Sequence, residues 1–469
     1  MLPLVRALAE ALASEGVCYC HWKSTNALDR SYTGANDLDL LVRRSDAQRF
    51  EAVLDTLGFK EAVAARPLPG VLDFYGHAPE SGRLVHLHAH YRLVVGDDLT
   101  KNYVLPLERV LLDASAAQDG GFPIPPPELE LIVLVLRLTL KHAGWDAIAF
   151  RRGVVPDSAR EELSYLQARV DREVLYRYLE ECLPFVGQGL FDECERAAGP
   201  GAGVRRRAAA ARALHRRLAA DARRPRAADA AVAFWRQSSG YVGLRPGKRR
   251  LARGGAVVAI VGADGAGKST VVDGLHGWLA RDVRAVRTHL GKPPRGPVTW
   301  AVGSGVRAAA GVAKLTRRPP GRGWRRAALL AVVTARDRYA AHTAARREAA
   351  LGTVVVSDRY PLPQLRLMDG PRIGSVVTVP AGNRLGERLA GRERAYYERL
   401  RPPDVLVVLR LDPEVAVARR ADEEPEFVRT RNAEVYGADW SGTAAHVVDA
   451  SRPAAEVLAE VKSIVWSEL

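Results

Sequence analysis

The feature that most constrains this 469-residue chain is an eight-residue run, GADGAGKS, spanning Gly262 to Ser269. It fits the pattern G-x-x-x-x-G-K-[ST] and sits between an apolar stretch, AVVAIV, and a helical pattern, TVVDGLHGWLA. Glycines at 262, 265 and 267 let backbone N–H groups close around anionic oxygens without side-chain clashes. Those oxygens then face a helix N-terminus, where free amides and the helix dipole favour negative charge. Lys268 can reach the outer phosphates of a nucleotide, and the Ser269 hydroxyl can ligate Mg²⁺. The expected cofactors are therefore ATP and Mg²⁺. Gly262, Asp264, Gly265, Ala266, Gly267, Lys268, Ser269 and Thr270 are the expected phosphate-side contacts.

Strand-like and helix-like segments alternate after this loop. Strands are expected at 256–261, 285–290, 353–357, 404–411 and 446–448, with helices between them. That order predicts an α/β fold, a P-loop NTPase with a mostly parallel sheet covered by helices on both faces. The first quarter also mixes strands and helices, but as an α+β arrangement. Leu129 to Leu140 is the most apolar run; Arg137 interrupts it, so it reads as a buried helix and not a membrane span. The divisions expected are an α+β domain over 1–122, a helical extension over 123–242, a basic linker over 243–255 and the P-loop domain over 256–469. The first residues carry acids and lack a small-residue cleavage site, which argues against a secretory leader. Four cysteines without paired metal-type spacing suit a reducing cytoplasm.

The formal net charge is +15, and its placement matters more than its size. Val204 to Arg253 holds 15 Lys/Arg against 2 Asp/Glu, and Gly305 to Arg347 holds 11 against 1, so the remainder is net acidic. This distribution argues against a general nucleic-acid binder. The basic segment 305–347 can attract an anionic substrate or lie against anionic lipid, as a peripheral membrane contact. Nothing in the sequence indicates an oligomeric state.

Several later segments resemble thymidylate kinase in order, over roughly 256–469. TVVVSDRY, Thr353 to Tyr360, resembles the family's strand ending in Asp-Arg-Tyr. The resemblance implies that Asp358 holds a Mg²⁺-bound water and that Arg359 reaches the acceptor's phosphate. Upstream, a helix similar to the family's acceptor-binding one offers Arg338, with Arg336 as a second candidate. Downstream, PPDVLVVLRLDPEVAVARR is similar to the strand and helix leading into the lid. There cationic side chains are implied at the adenine or at the transferring phosphoryl group, with Arg419, Arg420, Arg429 and Arg431 as candidates, Arg419 as a nucleotide contact and Arg420 as a catalytic one. Lys268, Asp358, Arg359 and Arg420 are thus the expected catalytic set, and Ser269 with Asp358 the expected Mg²⁺ ligands.

The chain departs from that family where the acceptor nucleoside would be seated. PLPQLRLMDGPRIGS follows Tyr360, THLGKPPRG follows the second strand, and 305–326 has no counterpart in a minimal thymidylate kinase. The expected acceptor is therefore a small phosphorylated, nucleotide-like or sugar-type molecule other than dTMP. The alternatives are an ATP-binding regulatory or interaction module, and a bifunctional nucleotidyltransferase–kinase. The last arises because HWKSTNALDRSYTGANDLDLLV resembles the opening of nucleotidyltransferase-fold proteins, and Lys141 to Phe150 a helical signature of that superfamily. Ser24 is the implied phosphate-touching turn residue. Asp37 and Asp39 share one strand face and could share a divalent metal. His86 stands where a third carboxylate is expected, with Asp73 as a displaced candidate, and His86, His88 and His90 share one face of a strand. An active transferase and a recognition or scaffold module both remain open.

Overall fold

The structure is a computed structural model that describes every residue except 118–120, 142–154, 242–246, 292, 295, 303, 305–322 and 366–369, and the backbone alone at 240 and 241. Most of the Lys141–Phe150 signature, much of the 305–326 insertion and the start of the expected linker lie outside the described residues. The chain divides into two compact units, Met1–Gly247 and Lys248–Leu469.

In the first unit, strands β1 (Tyr19–His21), β2 (Leu38–Val42), β3 (Lys60–Val63), β4 (Val71–Ala78) and β5 (Arg83–His90) form a sheet in the order β1-β2-β5-β4-β3. β2 and β5 run parallel; the other neighbours are antiparallel. Helix α1 (Pro3–Ser14) starts with proline at its first position and buries Val5, Leu8, Ala9 and Leu12, one apolar stripe at helical spacing. That stripe packs with Phe50, Val53 and Leu54 of α3 (Ala47–Thr56) on one face of the sheet; α2 (Leu28–Tyr32) lies in the connection between β1 and β2. Register then places polar groups in a row: Asp39 of β2 pairs with His88 of β5, and His88 pairs with Asp73 of β4. Residues opposite one another across a sheet share a face, so the three side chains lie together.

After a short hairpin, β6 (Leu93–Val95) with β7 (Tyr103–Leu105), and helix α4 (Glu108–Ala114), the unit becomes helical. Helix α5 (Pro127–Lys141) is buried almost all round, as its unbroken apolar run requires. It is surrounded by α6 (Asp157–Gln167), α7 (Arg172–Cys182), α8 (Gln188–Ala198) and α9 (Val204–Arg217), and α10 (Arg226–Tyr241) follows. No helix among the described residues is long and apolar enough to cross a membrane.

The second unit opens with the two-residue strand β8 (Arg250–Leu251). Its main sheet holds β9 (Val257–Gly262), β10 (Ala285–His289), β11 (Val354–Asp358), β12 (Val405–Arg410) and β13 (Ala445–Asp449), all parallel, in the order β10-β11-β9-β12-β13. The central strand β9 is buried at every position, which suits its Val/Ile run in a parallel sheet covered on both faces. Helices α11 (Lys268–Asp282), α12 (Gly323–Ala350), α13 (Arg384–Tyr397), α14 (Pro413–Arg419), α15 (Pro425–Gly437) and α16 (Ala454–Glu468) complete the unit. Trp278 of α11 meets Trp466 of α16 edge to face at 5.9 Å. Much of the expected linker belongs to this unit: Arg284 N–H donates to Arg249 O, Leu251 N–H to Gly352 O and Gly255 N–H to Ala349 O.

Burial holds several histidines of the first unit neutral, His21 and His215 among them. Burial pushes His21 down to about 4. Burial, then the nearby Arg226 charge, does the same to His215, whose Nδ1 lies 2.6 Å from the Tyr103 hydroxyl. Unfolding releases both to the ordinary value near 6.5, so below that pH the unfolded chain binds protons the folded one refuses. The contribution of His21 and His215 to stability is complete above pH 6.5 and declines towards pH 4. The first unit's melting temperature should fall over that window, and His215→Gln should flatten the slope. Equal slopes for the variant and the parent protein in pH-resolved calorimetry would contradict this account.

Candidate functional site

Register builds the site at the carboxyl end of β9. Asp358 of β11 pairs with Ile260 of β9, and Leu409 of β12 pairs with Gly262. Both neighbours therefore deliver their ends beside the loop Gly262–Ser269, the crevice where parallel sheets place ligands. Gly265 and Gly267 have φ of +82° and +80°, values a side chain would strain. Gly262 has a different reason to lack a side chain: a Cβ there would lie 2.9 Å from Leu409 O. Helix α11 begins at Lys268, with exposed Ser269 and Thr270 in its first turn.

Lys268 is buried, and its Nζ donates to Ala263 O at 2.6 Å. Burial lowers its ammonium to about 8; Asp264 and Asp358 pull the other way. Asp358 Oδ1 is buried and makes no hydrogen bond among the described residues. A desolvated carboxylate oxygen without a donor is a costly arrangement that a cation would relieve. With the Ser269 hydroxyl on the adjacent helix turn, these residues fit Mg²⁺. Arg359, next along the chain, has φ of +62°, a left-handed conformation unusual for arginine. Its Nη2 lies 3.8 Å from Asp264 Oδ1.

The arginines expected at the lid separate into distinct groups. Arg431 Nη1 donates to Asp264 Oδ2 at 2.6 Å while its guanidinium stacks on Phe427, so α15 is tied to the loop. Arg419 reaches Gly265 O at 3.5 Å and Ala450 O at 3.0 Å. Arg420 pairs with Glu423, and a side chain at Gly265 would meet its Cγ. Arg429 turns to Glu414 and Glu426 on the surface and is not brought to the loop. Asn432, which the sequence reading missed, donates to Asp264 O at 3.1 Å. Its signal was available: Val428, Asn432 and Val435 form one buried helix face, where an amide is out of character.

Arg338 is buried, and its guanidinium holds Leu290 O at 2.6 Å, Gly291 O at 2.9 Å and the Tyr397 hydroxyl. It fastens the chain leaving β10, whereas Arg336 is more exposed beside Asp337. Two further contacts went unread. Tyr397 O–H donates to Gly370 O, and the buried Glu393 carboxylate accepts N–H bonds from Arg372 and Ile373, both 2.9 Å. Helix α13 thus pins Gly370–Ile373, within the stretch expected on the acceptor side.

With this geometry in view, the relatives are informative. A thymidylate kinase of Xanthomonas euvesicatoria is 33% identical over 229 residues, 47% of this chain and 87% of that protein. The chain belongs to the thymidylate kinase family. An uncharacterized ATP-binding protein of Escherichia coli, YghR, is 28% identical over 223 residues, 45% of this chain and 86% of that protein. No family model matches the chain. Both similarities cover stretches about the size of the second unit, which has the parallel α/β sheet and phosphate-type loop of a P-loop kinase-like region.

In the first unit, the expected turn residue Ser24 has φ of +57°. Its N–H and hydroxyl donate to Glu162, at 3.1 and 3.3 Å, while Thr25 donates twice to Glu130. Carboxylates of the helical extension therefore occupy the donors assigned to a phosphate. Asp39 is buried and carries Lys23 Nζ at 2.6 Å, with His88 Nδ1 at 3.2 Å and His90 Nε2 at 3.4 Å. Burial would raise its carboxyl, but Lys23 and the two histidines overcome this and hold it well below the usual range. Asp37 is half-exposed, 3.0 Å from His86 Nδ1. The displaced acid, Asp73, is in the cluster: its Oδ1 lies 3.0 Å from Nε2 of both His86 and His88.

The glycine geometry is directly testable. Gly262→Ala drives a Cβ against Leu409 and should destabilise the second unit by about 1–3 kcal/mol. Gly277→Ala, inside α11 with open space around it, should stabilise by up to about 1 kcal/mol. Denaturant unfolding of the two variants checks this; a harmless Gly262→Ala would refute the close β9–β12 approach.

Proposed function

We propose that the protein is an ATP-dependent phosphotransferase acting on a small phosphorylated, nucleotide-like or sugar-type acceptor other than dTMP. The observation that carries the reading is Asp358. Its buried Oδ1, which makes no hydrogen bond among the described residues, stands at the end of β11, in register with the strand that feeds the Lys268 loop. Kinship with a thymidylate kinase and a protein named as ATP-binding supports the same reading.

In this account the loop amides and the first turn of α11 hold the nucleotide's phosphates, and Lys268 swings from Ala263 O to an outer phosphate oxygen. Mg²⁺ on Ser269 and Asp358 supplies charge neutralisation when bound. Arg359 faces the acceptor's anionic group, Arg420 the transferring phosphoryl group and Arg419 the base. Transfer joins an acceptor oxygen to the γ-phosphorus and breaks its bond to the bridging oxygen of ADP. Phosphoryl transfer asks mainly for this positioning and neutralisation. This reading sets dTMP aside because PLPQLRLMDGPRIGS, after Tyr360, departs from the family's nucleoside-seating residues; Glu393 and Tyr397 fasten Gly370–Ile373 within that stretch.

The first unit fits a recognition or scaffold role, since Glu130 and Glu162 engage the turn and Lys23 neutralises Asp39. A cytoplasmic setting suits four free cysteines. The test is acceptor-dependent ADP release by the purified full chain with ATP and Mg²⁺, across nucleoside monophosphates, sugars and sugar phosphates. Lys268→Ala should cost on the order of 10³-fold in rate with an unchanged melting temperature. Another acceptor should outpace dTMP at least tenfold, about 1.4 kcal/mol in transition-state binding. A fully active, folded Lys268→Ala variant, or dTMP as the best acceptor, would overturn the proposal.

A further inference from the structure

Beyond the kinase-like site, the first unit brings together a second set of chemistry-bearing groups. Asp37, His86 and His88 each offer a donor atom, all within 4.8 Å of one another, on the edge of the β2–β5–β4 face. His86 Nδ1 lies 3.0 Å from Asp37 Oδ1, and His88 Nε2 lies 4.0 Å from Asp37 Oδ2. What distinguishes these rings is their other nitrogens. His86 Nε2 is 3.0 Å from Asp73 Oδ1, and His88 Nδ1 is 3.2 Å from Asp39 Oδ1. His86 is thus oriented by Asp73 with its Nδ1 on Asp37, and His88 is oriented by Asp39 with its Nε2 between Asp73, at 3.0 Å, and Asp37, at 4.0 Å. That carboxylate–imidazole pairing sets tautomer and ring angle for metal-ligating histidines. His88 Nε2 is also buried and makes no hydrogen bond of proper geometry among the described residues, although Asp73 Oδ1 lies 3.0 Å away.

We propose that Asp37, His86 and His88 form a binding site for a borderline transition-metal dication such as Zn²⁺ or Co²⁺, with Asp73 and Asp39 as the orienting carboxylates. Two imidazoles and one carboxylate favour such an ion over Mg²⁺, which prefers an all-oxygen set. The ion sits at Asp37 and not at Asp39, because an ammonium already occupies Asp39 at 2.6 Å. Asp37 is the exposed member, so the ion is reached from solvent and keeps open coordination positions there.

Co²⁺ titration of the EDTA-treated full chain reads the site through visible d–d absorption. One equivalent should bind saturably, be displaced by Zn²⁺ and resist a hundredfold excess of Mg²⁺. Asp37→Asn, a substitution at a half-exposed side chain that should leave the fold intact, should weaken Co²⁺ binding at least tenfold. His86→Ala should do the same, and Asp73→Asn should weaken it about tenfold while keeping the one-equivalent endpoint. Absence of saturable binding, unchanged affinity in a folded Asp37→Asn variant, or equal competition by Mg²⁺ would each overturn the assignment.

Discussion

The register of β9 between β11 and β12 is the constraint on which the second unit depends. Val257 to Gly262 is a strand of β-branched and small residues, buried along its length and bonded on both sides. Once it pairs, Asp358 and Leu409 have fixed positions relative to the loop. Gly262 must then be a glycine because Leu409 O closes on it. Everything polar at the site is an extension of this apolar alignment. Asp264 receives Arg431 from α15, and Asn432 clamps the Asp264 carbonyl, so α15 is referenced to the same strand.

The first unit uses its polar groups differently. Its sheet row of Asp39, His88 and Asp73 follows from strand register, yet Lys23 and the helical extension decide what the row can bind. Glu130 and Glu162 project from α5 and α6 to the Ser24–Thr25 turn more than 100 residues earlier in the chain. An anion would meet carboxylates there. Among the described carboxylates of that row, Asp37 is the one that faces solvent.

The strands and the loop were legible because their signals are local: a glycine pattern, Val/Ile runs and a helical repeat each declare themselves within a dozen residues. Helix α5 was legible for the same reason, being apolar on every side. The contacts that fasten the chain after β10 and around Gly370–Ile373 were not. Arg338 reaches Tyr397 across 59 residues and Glu393 reaches Arg372 across 21, and neither pairing leaves a mark on either segment alone. The resemblance put Arg338 at the acceptor, whereas its guanidinium is engaged by Leu290 and Gly291 carbonyls and Tyr397. Asp73 could be noticed as a stray acid, but only the antiparallel register of β4 with β5 brings it to His88. The linker ran short of expectation because Arg249, Leu251 and Gly255 find backbone partners in the second unit, which composition does not reveal.

The central claim is that Asp358 and the Lys268 loop direct the γ-phosphoryl group of ATP to an acceptor and not to water. Following the label from γ-³²P-ATP in the presence of the acceptor mixture measures this most directly. The account predicts label covalently attached to one acceptor class, with one ADP per product, and loss of that product in a folded Asp358→Asn variant. Label appearing only as inorganic phosphate, or an Asp358→Asn variant that transfers as fast as the parent protein, would contradict it.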